Sequence, residues 1–127
     1  MIYGIGVDLI RVDRLARAVE RFGERFLRRV FTEREIAYCQ GRHRQGVYQL
    51  AQRFAAKEAF SKALGVGLRQ GGIRWREVEV LPDRMGKPEI HVSGRAAELC
   101  RLHGITRMHV SLTDEDGHAV AMVVLEA

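Results

Sequence analysis

The amino-acid sequence predicts an α+β fold, with helices packed on a mixed or antiparallel sheet, and three observations carry that expectation. Apolar residues alternate with period two from Ile2 to Leu9 and again from Arg107 to Thr113, and an apolar run returns from His118 to Leu125, as strands require. Between these ends, apolar spacings of three and four recur over residues 13–64 and 93–103, the mark of helices with one buried side. Turn signatures at Gly86-Lys87-Pro88 and Asp114 to Gly117 join the remaining alternating runs in pairs. The predicted order is a strand, three helices, a hairpin, a helix and a final hairpin. With 127 residues, 46% hydrophobic and 29% charged, and only 2 Pro, the expectation is one domain over residues 1–127.

In the first strand Tyr3, Ile5, Val7 and Leu9 share one face, while Gly4, Gly6 and Asp8 share the other. Glycine weakens a strand unless something must approach its backbone, so Asp8 either stands at the floor of a ligand site or caps the turn that follows. The next helix is expected to be capped by Asp13, with Leu15, Val19, Phe22, Phe26 and Val30 inward and a bend at Gly23. Arg14, Arg17, Arg21, Arg25 and Arg28 fall together on its other side. Thr32-x-x-Glu35 reads as a capping box for a short helical segment, and residues 41–46 as a loop. Val47 to Leu64 is the strongest helix, ended by Gly65. A Gly-rich connection then leads to strands at Ile73 to Leu81 and Glu89 to Val92, a helix from Ser93 to His103, and strands at Arg107 to Thr113 and His118 to Leu125.

Composition excludes several classes of protein. No run approaches the ~20 apolar residues of a membrane span, and the opening lacks a basic lead or cleavage site, so a cytoplasmic chain is expected. Cys39 and Cys100 match no zinc or disulfide spacing and are expected as reduced core residues. No P-loop is present, and Gly4-Ile5-Gly6 is too short for a dinucleotide fingerprint. His109 and Ser111 share a strand face but stand ~6–7 Å apart, too far for a nucleophilic dyad, so a polar face lining a pocket is the better reading. A net charge of +5 favours an anionic partner.

Three of the 21 basic residues are lysines, Lys57, Lys62 and Lys87, which leaves 18 arginines. Two of those lysines flank Glu58. Val47, Leu50, Ala51, Phe54, Glu58 and Ser61 trace one stripe, so Glu58 takes a place the pattern assigns to an apolar residue. A buried carboxylate must be neutral, paired or bound to a cation. Lys62, four residues on, offers a plain helix salt bridge worth ~0.2–0.5 kcal/mol. The competing reading joins Asp8 and Glu58 as oxygen ligands for Mg²⁺, with Lys57 and Lys62 around the same phosphate.

The sequence resembles the holo-acyl-carrier-protein synthases, small bacterial phosphopantetheinyl transferases. The resemblance rests on Gly4-Ile5-Gly6-Val7-Asp8, on the block from Arg53 to Gly65 (RFAAKEAFSKALG), on Gly86-Lys87-Pro88 and on His109-Val110-Ser111-Leu112-Thr113, in the family's order along essentially the whole chain. It implies transfer of 4′-phosphopantetheine from coenzyme A to a serine of apo acyl carrier protein, with release of adenosine 3′,5′-bisphosphate. By the same resemblance Asp8 and Glu58 are the magnesium carboxylates, Lys62 lies near the pyrophosphate, and Arg53 and His109 lie near the 3′-phosphate. Lys57, Ser61, Gly65, Gly86, Lys87, Pro88 and Thr113 are then further coenzyme A contacts. Glu58, directly or through a metal-bound water, is the candidate base, with Asp8 or water as substitute. The resemblance further implies a homotrimer with sites between subunits, and Arg14, Arg21 and Arg25 facing the acidic helix after the carrier's serine. Neither membrane nor nucleic acid is an implied partner. Asp114 stands where the family often has His, so no role of that His carries over.

Two other classes compete. A nucleic-acid module would use the arginine stripe but leaves Asp8, Glu58 and their lysines without a role, and 7% aromatic content gives no stacking platform. A magnesium-dependent pyrophosphate hydrolase would use the carboxylates but not the stripe.

Overall fold

The computed structural model describes residues 1–41, 45–68 and 72–127. Its elements run β1 (Ile2–Arg11), α1 (Val12–Phe22), α2 (Glu24–Val30), α3 (Glu33–Gln40) and α4 (Gly46–Leu64). A 3-10 turn at Trp75–Glu77 precedes β2 (Val78–Pro82) and β3 (Pro88–Val92), then α5 (Gly94–Leu102), β4 (Arg107–Glu115) and β5 (His118–Glu126). Both sheets are antiparallel: one has three strands in the order β1-β5-β4, the other pairs β2 with β3. The α+β expectation therefore stands, in its antiparallel form.

The close approach of α4 to β1 organises the molecule. A Cβ placed on Gly4 would lie 1.9 Å from the carbonyl oxygen of Ala63, and one on Gly6 would lie 1.9 Å from that of Ala59. Two strand residues span ~6.6 Å and four helical residues ~6 Å, so the two glycines match the two alanines step for step. Ala119 and Ala121 of β5 are also fully buried on this face, and small residues let α4 sink into the sheet. The approach that the glycines signalled is thus made by the chain's own helix.

Three sequence expectations are corrected. Gly23, with φ 58°, stops α1 and starts α2, so four helices precede the first hairpin where three were expected. Asp13 is no cap: the Val12 amide donates to Gly117 O at 2.9 Å, the helix starts there, and Asp13 pairs with Arg17 in the first turn. The strand expected from Ile73 begins only at Val78, because the Lys57 ammonium draws the carbonyls of Trp75 and Val78 together and the chain coils between them. The expected loop at 42–44 and part of the Gly-rich connection, 69–71, lie outside the described residues.

Other expectations hold. Thr32 and Glu35 form the capping box of α3. Gly65 ends α4 in the left-handed region at φ 84°. Asp116 and Gly117, both at positive φ, make the two-residue turn between β4 and β5. Cys39 and Cys100 are buried and not in a disulfide.

Replacing Gly6 with Ala tests the helix–strand contact. Alanine normally improves on glycine in a strand, whereas here the methyl group meets backbone on both neighbours and the sheet must part from α4. Urea unfolding is expected to show a loss of about 3 kcal/mol or more.

Candidate active site

Asp8 is the next residue after Gly4 and Gly6 on the α4 side of β1, and Glu58 and Lys62 each precede one of the contact alanines. The geometry therefore delivers the three together. The Lys62 ammonium lies 3.1 Å from Asp8 Oδ1 and donates to Val7 O at 3.0 Å, with its side chain 54% exposed. Glu58 is half-buried and keeps its proton to higher pH than an ordinary glutamate, chiefly because burial disfavours its charge and next because Asp8 repels it; Lys62 acts the other way. The plain helix salt bridge expected between Glu58 and Lys62 is not formed; Lys62 pairs instead with Asp8, across two elements.

Glu58 does not belong to a buried stripe. Nearly every side of α4 is buried, and Phe54, Glu58 and Lys62 line its open seam. The fully enclosed charges are elsewhere. Lys57, expected around the same anion as Lys62, points away; its ammonium donates to Glu35 Oε1 at 2.8 Å and to the carbonyls of Trp75 and Val78. Glu35 also accepts from the amides of Thr32 and Val80, both at 2.9 Å, so one carboxylate ties α3, α4 and β2. Arg53 is also buried: Nε donates to Val80 O at 3.1 Å, Nη1 bonds the backbone and side-chain oxygens of Gln49, and the guanidinium covers the Tyr38 ring. Ser61 is buried, its hydroxyl donating to Glu58 O at 2.8 Å, and Gly65 sits at the helix end one turn later.

The remaining candidates form a second group. Gly86 and Lys87 form the tip of the β2–β3 hairpin, where Asp83 Oδ1 accepts from the amides of Met85 and Lys87, and Pro88 opens β3. Lys87, Pro88 and His109 share a cleft of about 270 Å³ between β3 and β4. His109 Nε2 lies 2.6 Å from Glu126 Oε1, a hydrogen bond that holds the Glu126 carboxyl below the usual range. His109, Ser111 and Thr113 face away from α4, whereas Asp8, Ala121 and Leu112 align on the α4 side. In one chain, His109 and Thr113 stand on the face of the larger sheet opposite to Asp8. Asp114 is on the α4 side too, where it accepts from Gln52 Nε2 at 2.6 Å.

That open face carries Ile5, Val7 and Leu9 beside Val120, Met122 and Val124. Ile5, Val7 and Leu9 are 59, 55 and 63% exposed, a feature the sequence reading missed because alternation alone does not say which side is covered. Arg14, Arg21 and Arg25 are exposed on α1 and α2.

Asp8 and Glu58 thus stand close enough to repel each other, with the Lys62 ammonium on Asp8. Residues 4–123 match the family model of the 4′-phosphopantetheinyl transferase superfamily. The chain is 48% identical to a holo-[acyl-carrier-protein] synthase of Geotalea daltonii, over 99% of each chain. It is 47% identical to one from Trichlorobacter lovleyi, over 100% of this chain and 99% of the other. The solved enzyme from Neisseria meningitidis superposes with TM-score 0.89 at 37% identity, covering 100% of both chains. The Helicobacter pylori enzyme, solved in complex with coenzyme A, superposes with TM-score 0.84 at 30% identity, over 96% of this chain and 99% of that one. The chain belongs to the 4′-phosphopantetheinyl transferase superfamily and, within it, to the holo-acyl-carrier-protein synthase family.

A carboxyl-carbon NMR titration of the metal-free protein checks the electrostatics. Glu58 is expected to titrate above the ordinary glutamate range, Asp8→Asn to lower its midpoint and Lys62→Ala to raise it further. Since the folded chain holds this proton beyond the pH at which the unfolded chain loses it, the stabilisation from protonated Glu58 is present at low pH and fades as pH rises through the folded midpoint.

Proposed function

We propose that this chain is a magnesium-dependent holo-acyl-carrier-protein synthase that moves 4′-phosphopantetheine from coenzyme A to the acceptor serine of an apo acyl carrier protein, releasing adenosine 3′,5′-bisphosphate. The observation that carries the reading is the meeting of Asp8, Glu58 and Lys62 where α4 presses on β1. Asp8 and Glu58 offer the carboxylate oxygens that Mg²⁺ takes, and together they would hold it beside the substrate phosphates. When bound, the ion neutralises the pyrophosphate and the charge growing on its leaving oxygen.

In this reaction the serine oxygen bonds to the β-phosphorus as the bond to the bridging oxygen breaks. Lys62, exposed and held only at its tip, is free to exchange Asp8 for that bridging oxygen as its charge develops. Glu58 takes the serine proton, with Asp8 or water as its substitute. Ser61 and Gly65, beside Glu58 and at the end of α4, and Arg53 further along the same helix, serve the nucleotide. Lys57 serves by position: its bond to Glu35 holds the turn of α4 that bears Glu58.

The other nucleotide contacts, Gly86, Lys87, Pro88, His109 and Thr113, come in this reading from a neighbouring copy within a homotrimer. The opposed faces of the sheet support it, because Asp8 on one face and His109 and Thr113 on the other meet one ligand more readily from two chains. The uncovered apolar face supports it as well. Arg14, Arg21 and Arg25 receive the carrier protein. The reading takes residues 1–127 as one catalytic domain and the cytoplasm as its setting. No described helix is long and apolar enough to cross a membrane.

Incubation with apo carrier protein, coenzyme A and Mg²⁺ is expected to add one phosphopantetheine to the carrier, read by mass spectrometry. Asp8→Ala and Glu58→Gln should each lower kcat by about 10²-fold or more while keeping the fold. Lys62→Ala should lower kcat more than it raises the coenzyme A KM, with Lys62→Arg restoring only part. Normal turnover by Glu58→Gln would remove the assignment.

Shared sites make a separate prediction. Asp8→Ala and His109→Ala chains, each impaired alone, should regain activity when refolded together, because some interfaces then carry both intact halves. No gain on mixing would assign the whole site to one chain.

A further inference from the structure

The geometry points to a two-armed docking surface for an acidic, partly apolar protein face, in which Arg29 joins the α1–α2 arginines to a second arm formed by Arg74 and Arg76. A concavity of about 640 Å³ is lined by Arg21, Phe22, Arg25, Phe26 and Arg29. A second, of about 680 Å³, runs from Arg29 to Arg74, Trp75 and Arg76. Arg29 belongs to both walls, so the two form one continuous basic surface.

Charge is segregated around it. Arg17, Arg28, Arg34 and Arg95 each stand within salt-bridge distance of a carboxylate, on Asp13, on Glu24 and Glu33, on Glu79 and on Glu98 respectively. Among the described residues no such partner meets Arg21, Arg25, Arg29, Arg74 or Arg76. Among the described residues that line the second concavity, the carboxylate is Glu77, and it is already engaged: Oε1 accepts from the amides of Arg74 and Ala96. A planar fork without an internal partner is ready for carboxylates on another molecule.

The surface is not purely ionic. Phe22 is 55% exposed beneath the Arg21 guanidinium, 5.2 Å from the ring centre, and Phe26 lies beside it in the same wall. Apolar rings between unpaired arginines match an acidic surface that also offers an apolar side chain, and less well a bare phosphate backbone. The acceptor carrier protein is the occupant, an assignment that rests on the proposed transferase reaction and adds Phe22, Arg29, Arg74 and Arg76 to the residues that receive it.

The test is steady-state kinetics at low salt with Arg74→Glu/Arg76→Glu and, separately, Arg29→Glu. Each is expected to raise the KM for carrier protein about tenfold or more, leaving kcat and the coenzyme A KM as in the wild type. Added salt should shrink the difference. Arg74→Gln/Arg76→Gln, which removes charge without reversing it, should fall between, and an unchanged thermal midpoint in all variants shows that the fold is intact. Wild-type carrier KM in both reversals, beside an active wild-type enzyme, overturns this surface alone. So does loss of duplex DNA binding with no change in carrier KM. Absence of transfer by every chain, wild type included, overturns the reaction and the surface with it.

Discussion

The backbone contact between α4 and β1 is the constraint on which the rest of this molecule depends. Side chains on both surfaces would hold a helix and a sheet ~10 Å apart, whereas Gly4 and Gly6 facing Ala59 and Ala63 let the backbones touch. At that distance the short side chain of Asp8 comes within reach of groups on the helix. Because Glu58 and Lys62 immediately precede the two contact alanines, any slip of the helix along the strand displaces the carboxylates from each other as well as breaking the packing. Stability and chemistry are thus fixed by one interface.

Much of the fold was legible because its signals are local. Period-two alternation found β1 and β4, Gly65 ended α4, and the Thr32–Glu35 box opened α3. What the sequence did not reveal is mostly non-local. The Trp75–Glu77 coil depends on a lysine 18 residues away in the chain, and Glu35, read correctly as a cap, gave no sign of also meeting that lysine. The site was legible in part. Asp8, Glu58 and Lys62 meet as expected, but neighbours in sequence are not neighbours on a helix: Lys57 is turned ~100° from Glu58 and Lys62 only ~40°. That rotation sends one lysine to the core and the other to the cleft.

The two faces of the larger sheet show how one strand pattern serves two kinds of packing. On the α4 side the sequence uses glycine and alanine, and a helix fills the space. On the other it uses Ile5, Val7, Leu9 and Met122, which stay exposed among the described residues. Alternation reports both faces equally. Only the size of the residues distinguishes the side that meets its own helix from the side left for another surface.

The scarcity of lysine has a practical corollary. With three lysines in the chain and Lys57 sealed against Glu35, Lys62 and Lys87 are the lysine amines within reach of amine-directed reagents. Lys62 belongs to the carboxylate group and Lys87 to the hairpin cleft, so acylation yields become separate gauges of the two halves of the site. A ligand that shields both amines at once reports that the halves have closed around it, without any substitution in the protein.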